Sequence, residues 1–371
     1  MKIAVITETF LPSTDGVVTR LRAALHWLQQ NGHEVFIIAP DLGIDEFEGA
    51  KIQGVHARTL FFYRDRKFSL PTSKVKKYLQ EFRPDIVHVV NPVLLGASGV
   101  YYSRRLRLPL VASYHTNIAK YARYYHLPFL SPLLWRYFRC LHNQADINLC
   151  TSEAMRDELT DQGFNNLYVW KRGVAIDRFG PQNYDQTMRD YLTGGQPEQT
   201  LLLYVGRLAA EKEIETIRNV LESSPELSLA LVGDGPYKET LQDYFRGTRC
   251  IFTGFLHGEQ LAKAYASADI FVFPSVTETL GLVILEAMAS GLPVVAARSE
   301  PSSEQIADGI TGFLYTPKDP QSFKEAIFKL KKKSLHHNLS ENAFKTASNL
   351  GWDEAAKQLL EFYILAYNSK S

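Results

Sequence analysis

Short runs of apolar, mostly β-branched residues alternate along the chain with longer amphipathic stretches. Runs at 2–7, 33–39, 85–90, 110–113, 147–150 and 168–171 are predicted strands. After a gap the pattern resumes at 201–206, 228–233, 251–254, 270–273 and 293–297. These runs are nearly continuous, which predicts strands covered on both faces, as in parallel sheets flanked by helices. Helical periodicity predicts helices over 17–31, 152–162 and 279–290.

The gap holds Gly180-Pro181 and Gly194-Gly195-Gln196-Pro197 and lacks an apolar run, so a linker is expected over 176–199. Leu201-Leu202-Leu203-Tyr204-Val205-Gly206 then restarts the strand, glycine, loop and helix scheme of the N-terminus. The chain reads as α/β, with two tandem doubly wound parallel-sheet (Rossmann-like) domains, 1–175 and 200–351, facing a cleft. The amphipathic stretch 352–371 is expected to fold back on the first domain.

A length of 371 residues suits two domains, and 41 Lys plus Arg against 40 Asp plus Glu leave a charge of +1. That balance excludes nucleic-acid binding through overall basicity. The average conceals a segregation. Residues 51–139 hold 16 basic and 3 acidic residues, residues 1–175 hold 22 and 15, and residues 176–371 hold 19 and 25. Basic and aromatic residues interleave in Phe61-Phe62-Tyr63-Arg64-Asp65-Arg66-Lys67-Phe68 and in Lys120-Tyr121-Ala122-Arg123-Tyr124-Tyr125. An anionic membrane surface would be met by this mixture; single-stranded nucleic acid and plain solvated helix faces would use it too.

The N-terminal apolar run is too short for a secretory signal, and no run approaches the roughly 18 residues of a membrane span. Cys140, Cys150 and Cys250 lack C-x-x-C spacing and are expected as buried small hydrophobes in a reducing cytoplasm.

Candidate chemistry concentrates in Ser275-Val276-Thr277-Glu278-Thr279-Leu280-Gly281-Leu282-Val283-Ile284-Leu285-Glu286, which follows a buried strand and opens a helix. A helix N-terminus suits a phosphate, while Ser275-x-x-Glu278 also fits a capping box. Glu286 lies among apolar residues, where a carboxylate needs a partner. If both glutamates are helical they stand about 12 Å apart along the axis. That is wider than the roughly 5–9.5 Å of a hydrolytic pair, so hydrolysis is disfavoured.

Arg207 and Lys212, in Val205-Gly206-Arg207-Leu208-Ala209-Ala210-Glu211-Lys212, follow a strand, where two cations can clamp a diphosphate. Gly16, in Pro12-Ser13-Thr14-Asp15-Gly16-Val17-Val18, could admit a phosphate or make a plain turn. His115 follows another strand end. Gly233-Asp234-Gly235-Pro236 is an incomplete dinucleotide fingerprint. No P-loop, G-x-S-x-G elbow or H-E-x-x-H is present.

Together Glu278-x7-Glu286, Gly206-Arg207-x4-Lys212, the Gly16 loop and Arg172-Gly173-Val174-x3-Arg178-Phe179 resemble the retaining glycosyltransferases of family four, with the two-domain GT-B fold. Thr7-Glu8-Thr9-Phe10-Leu11-Pro12, Ala112-Ser113-Tyr114-His115-Thr116 and Thr277–Val283 further resemble the cyanobacterial sulfoquinovosyltransferases of sulfolipid synthesis. That resemblance implies transfer of sulfoquinovose from UDP-sulfoquinovose to diacylglycerol, on the cytoplasmic face of a thylakoid or plasma membrane. Lipid mannosyltransferases using GDP-mannose share much of the pattern and compete with it.

Carried over residue by residue, the resemblance implies that Arg207 and Lys212 stabilise the leaving diphosphate. Glu278 would take a hydroxyl of the transferred sugar and Glu286 the ribose hydroxyls. Backbone at Leu280, Gly281 and Leu282, and at Gly16 and Val17, would receive phosphate oxygens. Gly254 and Phe255 would lie by the base, and His115 would face the reacting sugar. No metal and no other cofactor is expected, the UDP-sugar being a substrate, and no nucleic acid is expected as a partner. A sulfonate would need one more cation, for which Arg172, Lys120 and Arg298 are candidates. The family's usual Gly-Gly is replaced here by Ser299-Glu300-Pro301-Ser302-Ser303-Glu304, which restricts the backbone and adds a carboxylate. A nucleotide-sugar epimerase and a non-catalytic nucleotide-sugar binder are the rivals from other classes.

Overall fold

The computed structural model of the chain describes residues 1–13, 15–60, 63–116, 128–277 and 281–370, and for residues 60, 63–66 and 128 only the backbone. The chain divides into two compact units, Met1–Arg172 with Trp352–Ser371, and Gly173–Gly351.

The first unit carries strands β1 (Lys2–Thr7), β2 (Glu34–Pro40), β3 (Glu46–Phe47), β4 (Ala50–Val55), β5 (Ala57–Leu60), β6 (Tyr63–Ser69), β7 (Ile86–Val90), β8 (Leu110–Ser113), β9 (Ile147–Cys150) and β10 (Leu167–Val169). Eight of them form one sheet in the order β10-β9-β8-β7-β1-β2-β4-β3, parallel except for the β3–β4 pair, and β5 and β6 pair separately. β1 is flanked on both sides, Ile3 pairing with Val35 and with Ile86. This position requires both faces to be apolar, and residues 3–6 of β1 are wholly buried. One face packs on the helix Gly16–Gln30 and on Trp352–Asn368 through Leu21, Leu25, Leu359 and Tyr363. The other packs on the helices Lys74–Phe82 and Leu95–Arg105.

The second unit carries β11 (Thr200–Val205), β12 (Leu227–Val232), β13 (Cys250–Gly254), β14 (Ile270–Phe273), β15 (Val294–Ala297) and β16 (Gly312–Tyr315). They form an all-parallel sheet in the order β13-β12-β11-β14-β15-β16. In each sheet the strand order reverses beside the first strand, at β1/β7 and at β11/β14. Ligands of doubly wound folds bind at the carboxyl ends of the strands at such a reversal.

Several expectations need correction. The stretch 176–199 is not a bare linker: it holds the helix Gln186–Leu192, started by Asp185 accepting from the Met188 amide, with Leu192 buried in the core of the second unit. Arg189 bonds Asp269 at 2.9 Å, fastening that helix to the start of β14. β10 ends at Val169: the Trp170 amide still donates to the Cys150 carbonyl, but the Trp170 and Lys171 carbonyls accept from Arg20 and the Lys171 amide donates to Gln358. Strands β4 and β16 escape the pattern because β4, between β2 and β3, is broken by polar residues and Gly54, and β16, at a sheet edge, has only four residues and opens on Gly312. Of the three cysteines expected to be buried only Cys150 is; Cys140 is exposed and Cys250 half-buried. Among the described residues no helix is long and apolar enough to cross a membrane.

Candidate functional site

In the second unit the loops after β11, β12 and β13 are joined by backbone hydrogen bonds. Gly206 donates to the Val232 carbonyl, Gly233 to that of Gly254, and Leu208 to that of Asp234. The approach is so close that a Cβ on Gly233 would lie 2.0 Å from the Gly206 carbonyl oxygen, and one on Gly235 2.3 Å from that of Leu208. Gly233-Asp234-Gly235 is therefore a brace for the Arg207 loop rather than a dinucleotide fingerprint. Its glycines are needed because only hydrogen fits between the two backbones.

Beyond this brace the chain makes a 3-10 turn, Ala210–Lys212, with Glu211 and Lys212 buried. Arg207 Nη1 stands 3.8 Å from Glu211 Oε1. The Thr277 hydroxyl donates to the Glu211 carbonyl at 3.2 Å and lies 3.3 Å from the hydroxyl of buried Ser275. The structure thus links the Arg207–Lys212 segment to residues 275–277 at the β11/β14 reversal. Glu211 and Thr277 are the members that the sequence reading missed, since a side chain bonding a distant carbonyl leaves no local pattern.

Glu278 and Leu280 lie outside the described residues. The helix that follows is Leu282–Ala289, and its N-cap is Gly281, at φ +60°. Ser275 is not its cap, so the capping-box alternative fails. The separation of the two glutamates depends on Glu278 and so lies outside the described residues. Gly281 packs against Gln305, whose Nε2 would lie 2.8 Å from an added Cβ.

Glu286 has its partner. The hydroxyl of fully buried Tyr265 donates to Glu286 Oε2 at 2.8 Å. Burial raises the Glu286 pKa above the usual carboxylate range, against the lowering pull of Tyr265 and of Arg178. Gly254, at φ +73°, turns the chain out of β13 so that Phe255 is 60% exposed and stacks on His257 at 5.8 Å. Arg298 pairs with Asp308 at 2.7 Å. Ser299 and Ser302 cap each other at the start of the helix Glu300–Gln305, so the altered segment forms a capped helical turn.

In the first unit Asp15 caps the helix Gly16–Gln30, its Oδ1 accepting from the amides of Val17 and Val18 at 3.0 and 3.1 Å. The Val17 amide expected to meet a phosphate is thus already bonded, and the carboxylate brings negative charge to that end; Gly16 remains exposed. Glu8, just after β1, is buried and accepts from the amides of Val93, Leu94, Leu95 and Gly96, tying the end of β1 to the loop after β7. Asn91 Oδ1 accepts from the amides of His115 and Thr116 at 3.2 and 3.3 Å, tying that loop to the end of β8.

His115 is buried, with Nε2 2.9 Å from the Ser113 hydroxyl; that hydroxyl is 2.8 Å from His88 Nε2, and His88 Nδ1 is 2.8 Å from the Tyr363 hydroxyl. Burial first, and then Arg20, hold the pKa of His115 well below the ordinary imidazole value. It is a neutral hydrogen-bonding group at pH 7 and not a stored proton. Arg172 is half-buried at the end of this unit, and Lys120 lies outside the described residues. Among the described residues no group of His, Cys, Asp and Glu gathers as a metal site.

Residues 14–178 match the family described as Glycosyltransferase Family 4, and residues 193–346 match the glycosyl transferases group 1. The chain is 38% identical over 312 residues to the sulfoquinovosyl transferase of Arabidopsis thaliana; the match covers 82% of the chain and 61% of that longer protein. It is 33% identical to a GDP-mannose-dependent alpha-mannosyltransferase of Corynebacterium glutamicum, covering 98% of the chain and 88% of that relative. Anabaena HepE, solved in complex with UDP-glucose, superposes with a TM-score of 0.80 at 20% identity, over 98% of the chain and 99% of HepE. These matches, with two Rossmann-like sheets, place the chain among the glycosyltransferases of family four with the GT-B fold.

Proposed function

We propose that the chain is a retaining glycosyltransferase that moves sulfoquinovose from UDP-sulfoquinovose to diacylglycerol at an anionic membrane surface. The observation that carries this reading is its 38% identity to the Arabidopsis sulfoquinovosyl transferase, of whose length the chain spans 61%. In this reading Arg207 and Lys212 are fixed cations that offset charge developing on the diphosphate as the glycosidic bond breaks, and no metal ion takes part. The link from Thr277 to the Glu211 carbonyl supports it, because it ties this segment to the one leading to Glu278 and the Gly281 turn.

Glu278 would hold a hydroxyl of the sugar and Glu286, through the oxygen that Tyr265 does not engage, the ribose. The backbone of residues 280–282 and Gly16 would receive phosphate oxygens. Gly254 and exposed Phe255 would offer the base an aromatic face. His115, being neutral, would give the sugar a hydrogen bond rather than a proton. The basic stretch 51–139 would draw the first unit to anionic lipid at the cytoplasmic face of a membrane. A membrane role for a related chain is consistent with the 30% identity, over the whole chain, to the alpha-monoglucosyldiacylglycerol synthase of Streptococcus pneumoniae.

A second reading, transfer of mannose from GDP-mannose to a lipid, is favoured by relatives that the chain spans more fully, at 88% and 83% of their lengths. Incubation with diacylglycerol and each radiolabelled donor separates the two. Label from UDP-sulfoquinovose entering the organic phase is expected. Label from GDP-mannose alone overturns the first reading for the second. A changed free nucleotide sugar without labelled lipid points to an epimerase.

A further inference from the structure

His88 and Ser113 are polar residues set in an apolar face. Side chains alternate along a strand, so Ile86, His88 and Val90 of β7 and Val111 and Ser113 of β8 share one face of the sheet. Ile86, Val90 and Val111 pack there in the core that holds Tyr363 of the helix Trp352–Asn368. His88, Ser113 and Tyr363 are wholly buried and His115 nearly so, and polar groups at such depth need partners. They form one row. Tyr363 Oη lies 2.8 Å from His88 Nδ1, His88 Nε2 lies 2.8 Å from Ser113 Oγ, and Ser113 Oγ lies 2.9 Å from His115 Nε2.

Only one arrangement of protons gives every hydroxyl in this row an acceptor. Burial pushes the Tyr363 pKa up, so its hydroxyl keeps its proton, and burial first and then Arg20 keep both imidazoles neutral. Among the described residues the Tyr363 hydroxyl has no hydrogen-bond partner besides His88, and the Ser113 hydroxyl none besides the two histidines. Tyr363 therefore donates to His88 Nδ1, His88 donates through Nε2–H to Ser113, and Ser113 donates to His115 Nε2. A neutral imidazole that accepts at one nitrogen carries its hydrogen on the other. Running the row in reverse puts a hydrogen on His88 Nδ1 and strands that of Tyr363 in the core. Letting Ser113 accept from both rings strands its own. A buried donor without an acceptor is costly, so both alternatives lose.

We propose that Tyr363, His88 and Ser113 are positioning residues that hold His115 in its Nδ1–H form, so that what His115 offers a substrate oxygen is a donor. The backbone of His115 is fixed as well, its amide donating to Asn91 Oδ1 at 3.2 Å, and its ring meets Trp170 edge-on at 5.9 Å. A helix at the far end of the chain thus sets which nitrogen of a residue after β8 carries the hydrogen. That this donor serves the transferred sugar rests on the function proposed above; the tautomer itself does not.

Long-range proton–nitrogen correlation spectra of the full chain, isotope-labelled at histidine and without a donor sugar, read the tautomer directly. The signals of His115 are identified by their loss in His115→Gln. Wild type is expected to show His115 as Nδ1–H. Tyr363→Phe is expected to give a mixture of tautomers, because either direction of the row then leaves one nitrogen of His88 unmatched. Ser113→Ala, which cuts the row beside His115, should also give a mixture. In sugar transfer, Tyr363→Phe should lower kcat/KM about 2–10-fold, the range of one weakened hydrogen bond. An Nε2–H ring in wild type overturns the proposal, and so does an Nδ1–H ring unchanged in both variants. Where Tyr363→Phe does not fold, wild type and Ser113→Ala decide. A chain with the Nδ1–H ring that transfers no sugar keeps this relay and loses the proposed function. One that transfers sugar with an Nε2–H ring does the reverse.

Discussion

The hydroxyl of Tyr265 donates to Glu286 Oε2 at 2.8 Å, so the carboxylate that apolar neighbours made conspicuous is held by a tyrosine of the preceding helix, Gly258–Ala266. Tyr265→Phe removes this donor and leaves a recessed carboxylate oxygen unsatisfied. The expected cost is about 1–3 kcal/mol, read from denaturant unfolding. Glu286→Gln in the Tyr265→Phe background should restore part of it, since a neutral amide is cheaper to bury.

The raised Glu286 pKa has a definite sign. Its folded value lies above the unfolded one, so the associated stability is complete below about pH 4.5 and is lost as pH rises through the folded value. Glu286→Gln should remove that loss, and its stability curve should fall less than that of wild type between acid and neutral pH. Superimposable curves would show that Glu286 ionises freely.

The buried histidines act in the opposite direction. His88 is pushed down to about 3 and His142 to about 4, chiefly by burial, and His115 is also held low. Their stability is present above the unfolded value near 6.5 and is lost as pH falls toward the folded values. Each should add about 1.4 kcal/mol per pH unit to the slope near pH 5. Proton uptake on unfolding at pH 5 checks this, and His142→Asn should reduce it by about one proton. An uptake near zero would contradict neutral burial. The activity profile should likewise show no titration of His115 near pH 6.5.

Gly233→Ala should disturb the Arg207 segment more than the sheet. The new methyl would meet the Gly206 carbonyl at 2.0 Å, on a residue whose φ is +137°. A stability loss of about 1–3 kcal/mol is expected from strain and overpacking. Donor KM should rise as well. Gly247→Ala, also at positive φ but with open space around it, is the control for strain without a clash.

Arg207→Ala should lower kcat by about 10²–10³-fold if the guanidinium stabilises the leaving diphosphate. Arg298→Ala should change donor choice less than twofold, because Asp308 already engages that guanidinium. A loss of discrimination in Arg298→Ala would return it to the sulfonate candidates.

The strands and their parallel arrangement were legible because burial on both faces demands uninterrupted apolar runs. Residues 2–7, 110–113, 147–150 and 270–273 were read to the residue. The Arg207–Lys212 segment was legible because its cations follow a glycine at a strand end. The loop before the first helix reads from sequence as a phosphate site or a plain turn at Gly16, and that Asp15 caps the helix and occupies the Val17 amide came only from the hydrogen bonds.

What the chain determined by itself is the repeated plan of strand, loop and helix and the placing of charged residues at strand ends, since periodicity and glycine act over a few neighbouring residues. The tertiary structure decided which distant groups meet. Tyr265 reaches Glu286, Thr277 reaches the Glu211 carbonyl, Glu8 gathers four amides after β7, and Arg20 clasps a backbone 150 positions away. Each of these joins elements brought together by sheet order, and sheet order follows from burying whole faces at once. No local window of sequence contains that information.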